Sequence, residues 1–300
     1  MNAIIIKIIP IILIFILGIV LRKFKIFNKE NADLFLKLVF NVSIPAFVLT
    51  SISKIKLSLD FIYLPITAIL IIIFTYFISK SVSKFYNLGN PSLGVFIVGS
   101  MIMNIGFTLP FFIAAYGGEG LARASIFDFG NALLTFTFIY YCACKFGGKT
   151  EDSKIMAKKL LNSPPLWALM ISIILNLSSV KLHPLAQNFL EILGNITVPL
   201  IMLSLGIYFT PKIVKIFSVV SVIVIRMFVG LLLGFLFVYL FKLEGLNRLI
   251  VLIGASAPVG YNTLTFASME NLDKEYAASL VSYSILIGII FIPFLIFILS

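Results

Sequence analysis

The sequence predicts an all-α polytopic membrane protein of ten transmembrane helices, arranged as two inverted five-helix repeats whose fourth and ninth helices are broken. Three observations predict it. Of 300 residues, 61% are hydrophobic and 12% charged, with a mean hydropathy of +1.14, whereas soluble domains carry about 25% charged residues. Ten apolar runs are long enough to cross a hydrocarbon core of about 30 Å. Residue types also recur along the chain at a constant offset of 154 positions.

The runs cover residues 3–21, 34–52, 60–80, 91–116, 124–145, 163–180, 186–209, 216–241, 247–268 and 276–299. The first carries Lys7 and has no small-residue cleavage site before the basic segment LRKFK, so it reads as a retained helix rather than a signal peptide. The second contains NVSIPAFVL, in which Asn41 and Pro45 interrupt apolar sequence. The seventh repeats this in NITVPLIML, with Asn195 and Pro199. An amide needs partners that lipid cannot supply and proline removes a backbone donor, so both pairs need compensation inside the protein. Cys142 and Cys144 end the fifth run, too close and too isolated for a disulfide framework or a zinc site, and read as apolar fillers.

Connections after odd-numbered runs hold 14 basic residues and the opposite connections hold 7, which by the positive-inside rule places both termini outside. The net charge of +11 is spread through short loops rather than gathered on an aromatic-laced patch, so nucleic acid is not an expected partner.

At the 154-residue offset Pro10 lies over Pro164, Asn41 over Asn195, Ser43 over Thr197, Pro45 over Pro199, Gly106 over Gly260, Phe107 over Tyr261, and Ala124-Ser125 over Ala278-Ser279. The register never shifts, which indicates duplication. Residues 1–147 form the first repeat, 148–162 a polar cytoplasmic linker and 163–300 the second repeat. Five helices per repeat force the second copy to enter from the opposite face. Inverted repeats suit alternating access at a midplane site, which is their natural use, although duplication could instead have built a channel, a receptor or a membrane enzyme.

The fourth run carries Asn104, Gly106, Thr108 and Pro110 within two turns, and the ninth answers with Pro258, Gly260, Tyr261, Asn262 and Thr263. Irregular backbone at membrane depth is tolerated only where it is buried in protein or lines a cavity, so two opposed breaks imply a crossover. Half-helix N-termini at such a crossover suit an anion, with Asn104 and Asn262 as donors. The alternative is a pair of kinked helices whose amides satisfy freed carbonyls.

These residues carry a resemblance. NIGFTLPFFIAAYG (Asn104 to Gly117), APVGYNTLTFA (Ala257 to Ala267) and KEYAASLVSYSILIGIIFIPF (Lys274 to Phe294) resemble the auxin efflux carrier family, whose bacterial members are related to the plant auxin carriers. The resemblance covers essentially the whole chain. It implies a fold similar to bile acid symporters and sodium/proton antiporters, with helices 1, 2, 6 and 7 as a scaffold that dimerises. Helices 3–5 and 8–10 would then be the moving transport domain, and substrate would meet Asn104, Pro110 and Pro258. The long cytoplasmic loop of many plant carriers is absent, which points away from auxin itself and toward small organic acids. On this reading Asn41, Pro45, Asn195 and Pro199 bend scaffold helices around the crossover, with their amides facing inward.

Asp128 lies two turns into the fifth run with Asn131 on the same face, and its repeat counterpart is Ser282. An intramembrane acid is a candidate proton carrier, with a proton ahead of sodium as a candidate coupling ion. Asp128 could instead support the site as a polar group, cap a broken helix, pair with Arg123, or pair with Arg226 from the eighth run. Lys37 and Glu191 lie near helix ends and can snorkel. One histidine, His183, and two adjacent cysteines supply neither a metal-ligand set nor a catalytic triad, so no enzyme activity, metal or cofactor is expected. The sequence thus reads as a carrier of a small organic anion in the cell membrane, with a non-transporting carboxylate sensor as the alternative.

Overall fold

The structure is a computed structural model that describes residues 2–52, 59–148, 162, 164–209 and 214–300. Of the expected linker, only Gly148 and Asn162 fall among them. The described residues form eleven helices. They are α1 (Asn2–Lys23), α2 (Lys29–Ile52), α3 (Asp60–Phe85), α4 (Asn90–Met101), α5 (Ile105–Phe146), α6 (Pro164–Leu177), α7 (Pro184–Tyr208), α8 (Ile216–Leu240), α9 (Gly245–Ala255), α10 (Asn262–Met269) and α11 (Lys274–Leu299). Six of them, α2, α3, α5, α7, α8 and α11, are each long and apolar enough to cross a membrane.

The expected breaks explain two of the runs that are not whole spans. The fourth run is divided between α4 and the start of α5, and the ninth between α9 and α10. The fourth and fifth runs meet at Gly117, where φ of +63° turns the chain between two helical stretches of α5. A side chain at that position would be strained, and glycine is not.

The second half of α7, Thr197–Tyr208, packs along α1 and against the start of α2, while the end of α2 packs on α6 and on the first half of α7. The α1–α7 crossing is close because both helices present glycine. A Cβ on Gly206 would come 2.1 Å from the Phe15 carbonyl oxygen, and one on Gly18 would come 2.3 Å from that of Leu203. Small residues of this kind bring backbones together where lipid supplies no hydrophobic drive. On the other side, α5 packs against α3 and α9, and α9 against α8.

Both proline interruptions leave a mark on their helices. Pro45 cannot donate to the carbonyl four residues back, and α2 widens into a π-turn over Val39–Ser43, just before it. Asn41 sits in that turn and donates from Nδ2 to the Lys37 carbonyl at 2.7 Å, so its amide is satisfied within its own helix. In α7 the regular backbone lapses at Ile196, three residues before Pro199. Asn195 and Pro199 are exposed there, unlike the inward amide the sequence suggested, because this face of α7 turns away from the helices it packs on.

Candidate functional site

α4 ends at Met101 because the next residues leave helical geometry, Ile102 having φ −74° and ψ 120°. α9 ends at Ala255, and Pro258 keeps the following segment extended. The two unwound segments then satisfy each other. Met103 and Val259 form an antiparallel bridge, the Asn104 N–H donates to the Pro258 carbonyl at 3.0 Å, and the Gly260 N–H donates to the Ile102 carbonyl at 2.9 Å. Gly260 is required for the approach, since a Cβ there would lie 2.1 Å from Ile102 Cγ2.

The outer edges of this short pair are held by side chains. Asn131 of α5 accepts from the Met103 N–H at 3.3 Å and donates to the Met103 carbonyl at 3.1 Å, and Ser284 of α11 accepts from the Val259 N–H at 3.1 Å. Asn104 has two tasks. Its Oδ1 caps α5 by accepting from the Phe107 N–H at 3.1 Å, and its Nδ2 donates across the crossover to the Val259 carbonyl at 3.3 Å. Tyr261, at the matching start of α10, makes no side-chain cap.

Arg226 of α8 is fully buried and closes the other end of the arrangement. Its Nη2 donates to the Ala255 carbonyl at 2.5 Å, and its Nη1 lies 3.4 Å from the carbonyls of Ser100 and Met101. Two helix C-termini, each with partial negative charge, therefore converge on one guanidinium. This decides the alternatives left open by the sequence: Arg226 bonds helix ends, Arg123 pairs with Glu119 at 2.9 Å, and Asp128 accepts from Asn131 Nδ2 at 2.7 Å.

A cavity of about 600 Å³ opens beside the crossover. Asn104, Tyr261 and Asn262 line it together with Gly106 and Gly260, Asp128 and Asn131 stand on its α5 wall, and Asn41 and Lys37 on its α2 wall. The N-termini of α5 and α10 both border it. Other residues singled out by sequence are not on its wall. Thr108 is buried and its hydroxyl donates to the Ile105 carbonyl at 2.9 Å, Pro110 is buried one turn into α5, and Pro258 is buried against Gly288. The Thr263 hydroxyl is buried without a hydrogen-bond partner among the described residues. Ser282 lines a second cavity, of about 480 Å³, between α7, α10 and α11.

Asp33, Leu205, Tyr261 and Thr265 line both cavities. There the Tyr208 hydroxyl donates to Asp33, and the Tyr208 and Tyr261 rings lie 5.0 Å apart. Sequence reasoning passed over Asp33, Tyr208 and Ser284. Nothing in their immediate surroundings signals contact with residues far along the chain.

The chain is thus a helical, multi-pass membrane protein in which two broken helices cross beside a largely apolar cavity that a few polar side chains enter. The chain belongs to the membrane transport protein family, the auxin efflux carrier family, whose model matches residues 3–296. It is 30% identical over 279 residues to an uncharacterized transporter of Methanocaldococcus jannaschii, covering 90% of each chain. It is 26% identical over 291 residues to an uncharacterized transporter of Methanothermobacter thermautotrophicus, covering 95% of each.

Proposed function

We propose that this membrane transport protein is a secondary carrier of a small organic anion, binding its carboxylate in the cavity beside the crossover. One observation carries the reading. Two helix N-termini and the amides of Asn104 and Asn262 converge on a single cavity, which is the donor array an anion requires. Tyr261 closes one wall of that site, with Thr108, Pro110, Pro258 and Thr263 shaping the backbone behind it.

The reading includes an inverted repeat. Asn104 and Pro258, which pair across the crossover, are themselves 154 positions apart, so a two-fold axis relating each residue to its counterpart would pass through this pair. Exchange of conformations between the halves then alternates access, with α1, α2, α6 and α7 as a dimeric scaffold and the crossover unit moving against it. Asp128 carries the coupling proton, with Asn131 supporting the site, Ser282 standing on the second cavity, and both termini outside.

Saturable counterflow of a labelled dicarboxylate such as malonate in liposomes tests the carrier function. A sensor would bind without exchanging, and binding without counterflow across a panel of mono- and dicarboxylates would replace the carrier with that alternative. Asp128→Asn mimics the protonated acid, so exchange should survive while accumulation driven by a pH gradient fails. Accumulation that still follows the gradient in the mutant removes Asp128 as the proton carrier.

A further inference from the structure

Asn131 is placed where the acid and the crossover meet. Its side chain is 5% exposed, and its amide makes three hydrogen bonds. Two of them, at 3.3 and 3.1 Å, take both backbone groups of Met103, as a third strand would at the free edge of the Met103–Val259 pair. The third, at 2.7 Å, goes to Asp128 Oδ1. A single planar amide thus joins the cavity acid to the backbone immediately preceding Asn104. The opposite edge has no such link, because Val259 is held by Ser284, whose hydroxyl donates onward to the Val281 carbonyl at 3.0 Å.

We infer that Asn131 is a positioning residue that transmits the charge state of Asp128 to the crossover strand and so sets how firmly the anion-binding segment is held. The inference rests on the reading of Asp128 as the coupling group.

The physical basis is the strength of one hydrogen bond. A carboxylate accepts from an amide N–H about twice as strongly as a neutral carboxyl does. With Asp128 ionised, Asn131 is fixed at both ends and Met103 is clamped. Protonation weakens the Asp128 end, and the amide is then free to follow the crossover when the segment adjusts around an anion. The charged groups facing Asp128 across the cavity are Asp33 and Lys37 of α2, and Tyr261 is a further titratable side chain on the wall. The α6 and α7 walls contribute only apolar residues and Pro165, while Arg123 and Glu119, nearer the start of this stretch of α5, pair with each other. Among the described hydrogen bonds, Asn131 alone connects Asp128 to the crossover backbone.

Hydrogen–deuterium exchange on the full chain in detergent reads this without a substrate. After correction for intrinsic chemical exchange, protection of the peptide spanning 102–108 should rise about tenfold as pH climbs through the titration of Asp128, the ratio expected between charged and neutral acceptors. The carboxyl infrared band missing from Asp128→Asn reports that titration independently. In Asn131→Leu the band should still titrate while the protection step disappears. Asn131→Ser should behave alike, and it supplies a less disruptive variant should the leucine fail to fold. A tenfold step that persists in either Asn131 variant overturns the inference and leaves Asp128 as the coupling group. A step that persists in Asp128→Asn, or an Asp128 band that never titrates, overturns the reading of Asp128 and the inference with it.

Discussion

On the proposed reading Asn104 serves fold and site at once and Asn262 the site alone, so the two should separate on mutation. Asn104→Ala removes an N-cap worth about 0.5–2 kcal/mol as well as a donor to the anion, and Asn262 makes no cap. Each change should weaken anion binding by about 1.5–3 kcal/mol, the contribution of a hydrogen bond to a charged group, and only Asn104→Ala should also lower the melting temperature. Calorimetric titration with the best-bound carboxylate, beside thermal unfolding, checks both. Unchanged affinity in both variants would move the anion away from the crossover. Arg226 presents the converse case, a buried cation with no carboxylate among its described partners, stabilised by helix-end carbonyls. Arg226→Met should destabilise by about 1–3 kcal/mol by orphaning those carbonyls, and Arg226→Lys should recover part of the loss. A methionine variant as stable as wild type would show that desolvating the guanidinium costs as much as its bonds return.

At the scale of elements, the turn between α10 and α11 is tied to the start of α8 by charge. Lys215 Nζ lies 2.6 Å from Asp273 Oδ2 and 2.5 Å from Ser92 Oγ, and Asp273 Oδ1 caps α11 through the Tyr276 N–H at 3.0 Å. Burial pushes the Asp273 carboxyl up, but Lys215, the Tyr276 amide and Ser92 together outweigh it and hold the group below its ordinary value. A carboxylate so depressed contributes stability that is fully present above its unfolded value, about 4, and is lost as pH falls through the lower folded value. Stability measured from pH 7 downward should therefore decline more steeply below about pH 4 in wild type than in Asp273→Asn. Parallel curves would show that this ion pair, partly open to water, adds nothing measurable.

Across the whole molecule, the inverted repeat makes one demand that is independent of any ligand. Lys84 ends α3 and Lys242 follows α8, and these are the third elements of the two halves. Cysteines introduced at these two exposed positions, with the buried Cys142 and Cys144 replaced by serine, should react with an impermeant maleimide from opposite faces of the membrane, Lys84 from the cytoplasm. Labelling of both from one face would end the inverted arrangement. By itself the sequence determined the membrane-embedded helical class, the family, and the places where helices break. These are local properties: hydropathy summed over a window, and the backbone preferences of Pro258, Gly260 and Asn104. What the broken ends bind was decided only by tertiary structure. Arg226 meets Ser100 across 126 positions and Ala255 across 29, Asn131 meets Met103 across 28, and Tyr208 meets Asp33 across 175. Sequence left Asp128 with two candidate arginines besides Asn131 on its own helix face, and packing left it with the local amide. A hydrogen bond is satisfied by whichever group the packing of helices brings within about 3 Å, and neither helix register nor crossing angle is written in the residues flanking the bond.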